Sequence, residues 1–229
     1  MASTKQKGSN AWIYWMIGII LAGAILIVVL DRQLGGDEGS SSNGETELSY
    51  ENQPFIGEES APVEIVEFGD YLCPHCKTFE ESLVPRIKEA FVDTGKAKFY
   101  FMNYPVIGQG SERAAQFAEA VYQELGKDTF WEFHKHLFEL QPEDASLVDY
   151  NKDFFKQALQ DVVDDEANIE KVVTAYDEGM KDAVQTDKNM AQSLGVQSTP
   201  TTIVNGKVFE GETFADLEKR VEEAMNESE

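Results

Sequence analysis

Basic residues are scarce in this chain of 229 residues: 19 lysines and arginines stand against 42 aspartates and glutamates, a formal net charge of −23. Binding a phosphate backbone requires cations that displace its counterions, so nucleic acid is excluded as a partner. The same deficit disfavours docking on an anionic membrane surface; an acidic chain stays soluble and draws basic or neutral partners. Histidine is rarer, at three, and cysteine rarest, at two. Cys73 and Cys76 alone would be half a zinc site and would need two more ligands. Besides His75 the histidines are His134 and His136, two apart and so on different helical faces. His134 shares a face with Phe130 and Leu137 and reads as a core or boundary residue, which disfavours zinc. No loop has EF-hand spacing. So many carboxylates suit a hard structural cation such as Ca²⁺, but no ligands are assigned to it.

One long apolar run is present. Residues 11–30 are twenty consecutive uncharged, mostly apolar positions, about 30 Å as a helix and enough to cross a hydrocarbon core. Trp12, Tyr14 and Trp15 sit at one end, where amphipathic rings favour the interface. Lys5 and Lys7 precede the run and place the N-terminus in the cytoplasm, with everything after Leu30 outside. The run exceeds the h-region of a signal peptide, so an uncleaved anchor is expected. Residues 1–10 then form a cytoplasmic tail. Residues 31–54, rich in Gly, Ser, Glu and Thr, form a flexible tether with a reach of about 25 Å. Residues 55–229 hold a globular domain.

Within that domain, residues 63–68 read as a buried strand between Pro62 and Gly69. A helix follows from Pro74 through Phe91, kinked near Pro85. Residues 98–104 form a second strand ending at Pro105. Helices are then expected over 111–125, 129–140, 151–163 and 168–194, the last as one or two. Apolar runs on either side of Asn205-Gly206 give a hairpin, and 213–225 closes the chain as a helix.

The two cysteines stand at the strand-to-helix junction as Cys73-Pro74-His75-Cys76. The junction lies outside the cell if residues 11–30 span, and outside is oxidising. A structural staple fails on spacing, because a bridge over two residues closes almost no loop and removes little unfolded-state entropy. Pro74 suits the first helical position, which makes Cys73 the N-cap and Cys76 the third residue of the helix. Both face one side. Cys73 sulfur is expected at the positive helix end, against unpaired N–H groups, with Cys76 deeper and more shielded. Stabilising a thiolate favours the dithiol and makes the disulfide an oxidant.

Strand–Cys73-Pro74-His75-Cys76–helix, Thr199-Pro200 before a strand and hairpin, and a helical insertion between them (about 108–194) together resemble the thioredoxin superfamily. Pro74-His75 is similar to the dipeptide of its DsbA-like branch, and the anchor and acidic domain look closest to the BdbD type of Gram-positive bacteria. The resemblance implies an α/β thioredoxin-like fold with a helical insertion. It also implies a thiol:disulfide oxidoreductase that oxidises reduced cysteines of secreted or membrane proteins and needs no cofactor. Its reoxidant would be a quinone-linked membrane protein of the DsbB kind. By position, Glu67 is the family's buried acid, six residues before Cys73; a strand residue facing solvent is the alternative. Thr199 and Pro200 take the place of the cis-proline pair that binds substrate. Threonine before that proline also occurs in disulfide isomerases, so a reductase or isomerase stays open beside oxidation, as does a tethered peptide-binding chaperone.

Overall fold

The computed structural model describes residues 50, 52–144 and 148–227. The expected tail, anchor and most of the tether (residues 1–49) lie outside the described residues. Among the described residues no helix is long and apolar enough to cross a membrane.

Five strands make one sheet in the order β1-β3-β2-β4-β5. The central strand β2 (Val63–Gly69) runs parallel to β3 (Ala97–Asn103) and antiparallel to β4 (Thr201–Val204). Parallel neighbours need a crossover, and here it is α1 (Pro74–Ser82) with α2 (Val84–Ile87). Pro85 has no N–H to give the preceding turn, and the helix is interrupted at Leu83. It ends in a π-helical turn, Lys88–Val92, closed by Asp93 N–H on the Lys88 carbonyl at 2.8 Å. Two short edge strands complete the sheet: β1 (Phe55–Ile56), which has no strand-length pattern in the sequence, and β5 (Lys207–Val208). The β4–β5 turn follows the Asn-Gly signal, with Asn205 at φ 45° and Gly206 at φ 74°. Asn205 Oδ1 also accepts the Glu64 N–H at 2.8 Å, tying the turn to β2.

Strand side chains alternate between faces. Val63 and Ile65 pack with Val84, Ile87 and Phe91 and with Leu217 and Val221 of α7 (Phe214–Glu227). Val66, Phe68 and Met102 point the other way, toward Ala191 of α6 (Lys181–Ser193). Glu67 has the parity of Val63 and Ile65, so it lies on the face that α1 covers.

Among the described residues, four helices stand between β3 and β4: α3 (Gln109–Glu139), α4 (Lys152–Gln160), α5 (Glu166–Glu178) and α6. The two helices expected over 111–125 and 129–140 meet in α3 at Gly126, which leaves helical geometry (φ 80°, ψ −178°) where only glycine turns at low cost. The stretch 168–194 is divided at Gly179 (φ 106°) into α5 and α6. The core of this block includes Phe117, Phe133 and Phe155, and it runs without a break into Tyr71, Cys73, Cys76 and Phe101. The cysteine pair is therefore part of the wall between the sheet and the helical block.

Candidate active site

Cys73 is the N-cap of α1, with extended backbone (φ −81°, ψ 117°), and Pro74 occupies the first helical position. The turn before it is built by Asp70. Its Oδ1 accepts the Leu72 N–H at 2.8 Å, and its backbone carbonyl accepts the Cys73 N–H at 2.9 Å. Its Oδ2 reaches across to the Val106 and Ile107 N–H groups at 2.9 and 3.1 Å. One buried carboxylate thus braces the cysteine turn against the loop after β3. Sequence reasoning missed Asp70, whose only local sign is an acid placed to form an Asx turn just ahead of the motif.

The sulfurs are placed asymmetrically. Cys73 is 5% exposed and Cys76 fully buried, while Pro74 and His75 are exposed. Both cysteines are free thiols. Cys73 sulfur differs from the expectation that it faces the helix-start N–H groups: it makes no capping bond. As a thiol it is a donor, and it gives its proton to the Thr199 carbonyl at 3.5 Å. The Thr199-Pro200 peptide is cis. Cys73 through Cys76, Thr199 and Pro200 therefore come together, although 126 residues separate Cys73 from Thr199.

Beneath them sits Glu67, 1% exposed, which excludes the solvent-facing alternative. Among the described residues neither carboxyl oxygen has a hydrogen-bond partner. Burial, then the charges of Glu80 and Cys73, push Glu67 well above the ordinary carboxylate range. Burial, then the Glu67 charge, push the Cys76 thiol far up as well. Both groups resist carrying charge where they stand.

Two further residues that the sequence did not single out belong to this region: Glu80, whose charge acts on Glu67, and His134, which meets Glu80. Glu80 lies four positions after Cys76, on the same face of α1, a spacing that points to it in hindsight. His134 is fully buried, as expected of a core residue, yet its Nε2 lies 3.3 Å from Glu80 Oε2 and its Nδ1 3.0 Å from Tyr71 Oη. His136 instead meets Asp161 at 3.1 Å. Neither histidine is bonded to a cysteine. Among the described residues no three His, Cys, Asp or Glu side chains gather as a metal cluster, and the calcium expectation gains no ligand set.

Comparison with known proteins agrees with this geometry. A family model described as Thioredoxin matches residues 49–223. The chain is 32% identical over 212 residues to the probable disulfide bond formation protein D of Bacillus cereus, spanning 91% of this chain and 95% of that protein. It is 37% identical over 178 residues to disulfide bond formation protein D of Bacillus subtilis, spanning 75% of each. The crystal structure of oxidised BdbD from Bacillus subtilis superposes with a TM-score of 0.69 at 32% identity, covering 78% of this chain and 95% of that one. The fold, the cysteine pair at its helix start and these relatives show that the chain belongs to the DsbA-like, thioredoxin-fold family of disulfide bond formation proteins of the BdbD type, and is a protein disulfide oxidoreductase.

Proposed function

We propose that the chain works in the oxidising direction outside the cytoplasm, donating a Cys73–Cys76 disulfide to reduced cysteines of secreted or membrane proteins. The observation that carries this reading is the asymmetry of the pair: Cys73 at the start of α1 against the Thr199 carbonyl, and Cys76 sealed below it. A substrate thiolate attacks Cys73 sulfur, the S–S bond breaks, and Cys76 leaves. A second substrate thiol then resolves the mixed disulfide. The backbone at Thr199 and Pro200 supplies an edge along which an extended peptide adds as a strand. Glu67 serves as the buried acid that gives Cys76 its proton and takes it back on reoxidation. A site that holds its dithiol form more firmly than its disulfide form is an oxidant.

Residues 11–30 have the length of a membrane span and support anchoring, with the catalytic domain outside. Quinone-linked reoxidation by a membrane protein of the DsbB kind fits such a tether. The direction of exchange is tested by equilibrating the full chain with glutathione. A reduction potential near −120 mV, on the order of that of strong oxidants, is expected; one below about −200 mV overturns oxidation and favours a reductase. Cys73→Ala is expected to impair the folding of disulfide-containing secreted clients; unimpaired folding overturns the proposed role in their oxidation.

A further inference from the structure

The end of α3 holds the cysteine motif on both of its flanks. Gln141, just past the last residue of α3, is 2% exposed, and its backbone N–H donates to the Phe138 carbonyl at 3.1 Å. Its side-chain Nε2–H donates to the carbonyl of Tyr71, two residues before Cys73, at 2.6 Å. Only the NH₂ end of an amide can meet a carbonyl, so the acceptor sets the orientation of the group. On the other flank Lys77, next after Cys76, donates from Nζ to the carbonyls of Gln141 at 2.5 Å and Glu139 at 3.3 Å. The Glu139 carbonyl is one of those a helix end leaves unpaired, and a cation is favoured there.

Both ties cross from the cysteine turn to the helical insertion, over 70 residues for Gln141 to Tyr71 and 64 for Lys77 to Gln141. Tyr71 is fixed further by its hydroxyl, 3.0 Å from His134 Nδ1, and by its ring against Phe138. The main chain is thereby held just before Cys73 and, through Lys77, just after Cys76. Two sulfurs can join only within narrow limits, about 2.05 Å apart with Cα atoms about 4.4–6.8 Å apart. A clasp that grips both flanks from one helix end governs how readily that geometry is met.

We infer that Gln141, with Lys77, is a positioning residue for disulfide closure: the clasp sets the effective concentration of Cys76 toward a mixed disulfide on Cys73. It acts through the main chain of the motif and not on a sulfur. In the step concerned, Cys76 sulfur bonds to Cys73 sulfur and the bond from Cys73 to the outer sulfur breaks. That electron pair leaves on the outer sulfur, where the proton of Cys76 also ends. A misplacement of about 1 Å can cost about 10²-fold in an intramolecular step. One hydrogen bond is worth about two- to tenfold in an equilibrium, which bounds the effect of losing the Gln141 bond. The inference rests on Cys73 and Cys76 as the exchanging pair and holds for either direction of exchange.

The test equilibrates the full chain with reduced and oxidised glutathione, quenches with acid, and weighs the dithiol, mixed-disulfide and closed forms by mass spectrometry. The reduced glutathione concentration at which mixed and closed forms are equal is the effective concentration of Cys76. Gln141→Met keeps the length of the side chain and removes the donor. It is expected to lower that concentration about two- to tenfold, while Cys73 is alkylated by iodoacetamide at the wild-type rate. The disulfide then weakens against the dithiol, and the reduction potential rises by about 30 mV for a tenfold change. A substitution that merely loosens the fold lowers the urea midpoint and leaves the effective concentration where it was. A change of less than about twofold, or an increase, therefore overturns the inference, as does an alkylation rate that falls in equal measure. If Gln141→Met fails to fold, Lys77→Met, at a side chain 25% exposed, decides on the same readout. Loss of the ammonium as a charge alone disfavours the thiolate, and so the dithiol form, and lowers the potential; loss of the clasp raises it, so a lowered potential overturns the inference. A wild-type chain that exchanges nothing with glutathione removes exchange at Cys73 and Cys76 together with this inference; wild-type exchange with an unmoved effective concentration in the variant removes only this inference.

Discussion

The Thr199 carbonyl oxygen accepts the Cys73 thiol at 3.5 Å, so the acceptor beside the reactive sulfur is main chain and not a side chain. Thr199→Val keeps the branched shape and that carbonyl. Exchange with a model dithiol peptide is expected to stay within about threefold of wild type, the range of a substitution that moves about 0.5 kcal/mol. A loss of much more, in a stopped-flow assay, would assign the Thr199 hydroxyl a part in the reaction.

Glu67 is a carboxyl group kept in the core with no hydrogen-bond partner among the described residues. Burying an unpaired polar group costs about 1–3 kcal/mol in proteins. Glu67→Leu is therefore expected to raise the urea midpoint, by about that free energy, while slowing disulfide exchange. Stability and activity should move in opposite directions. Wild-type stability with wild-type exchange in the leucine variant contradicts both the burial argument and the role of Glu67 as the acid.

Asp70 holds three backbone N–H groups in two loops. Its replacement by alanine leaves them without an acceptor, and one unsatisfied buried donor costs about 1–3 kcal/mol. Asp70→Ala is expected to lower stability by at least about 2 kcal/mol and to speed amide hydrogen exchange at Leu72, Val106 and Ile107. Protection unchanged at those three amides would show that the loops hold their shape by other means.

A second acid cluster, away from the cysteines, sets a pH dependence. Asn103 donates its side-chain N–H to Glu119 at 2.7 Å and its backbone N–H to Asp187 at 2.8 Å, and Gln53 donates to Asp187 at 2.7 Å. Burial, then the Asp187 charge, push Glu119 up, and burial pushes Asp187 up despite its hydrogen bonds. Carboxyls raised in the folded state bind more protons there than in the unfolded chain. Stability from this cluster is then fully present below about pH 4 and falls as pH rises through neutrality toward about 8. In buffer free of divalent cations, the urea midpoint at pH 8 should be lower than at pH 5.5, and Glu119→Gln should flatten the difference. A midpoint that rises with pH in the wild type and is unaffected by Glu119→Gln refutes the assignment.

The readable parts of the chain were those whose signals are local. Pro74 after Cys73 marks a helix start by its own φ, and Asn205-Gly206 marks a hairpin because both residues take positive φ. The buried strands announced themselves as apolar runs. Glu67 followed from its offset to Cys73, through resemblance and not through any physical signature of its own. What escaped were polar residues whose meaning lies in distant partners: Asp70 with the loop at Val106, Glu80 with His134, and Asn103 with Asp187, 84 residues away. A carboxylate facing water and one clamped in the core have the same letter and the same neighbours in sequence. The edge strand β1 escaped for another reason: two residues are too few to show a period.

The cysteines share one packed core with Phe117, Phe133 and Phe155 of the helical block, and this joins two quantities that are measured in different experiments. Oxidised, reduced, folded and unfolded chains form a closed thermodynamic cycle. Whatever stability the folded chain gains on reduction must therefore reappear as the driving force with which its disulfide is surrendered. Melting the two redox forms side by side reads the oxidising power of the protein as surely as a titration with glutathione. A substitution deep among those phenylalanines, far from either sulfur, alters that power whenever it weighs on one redox form more than on the other.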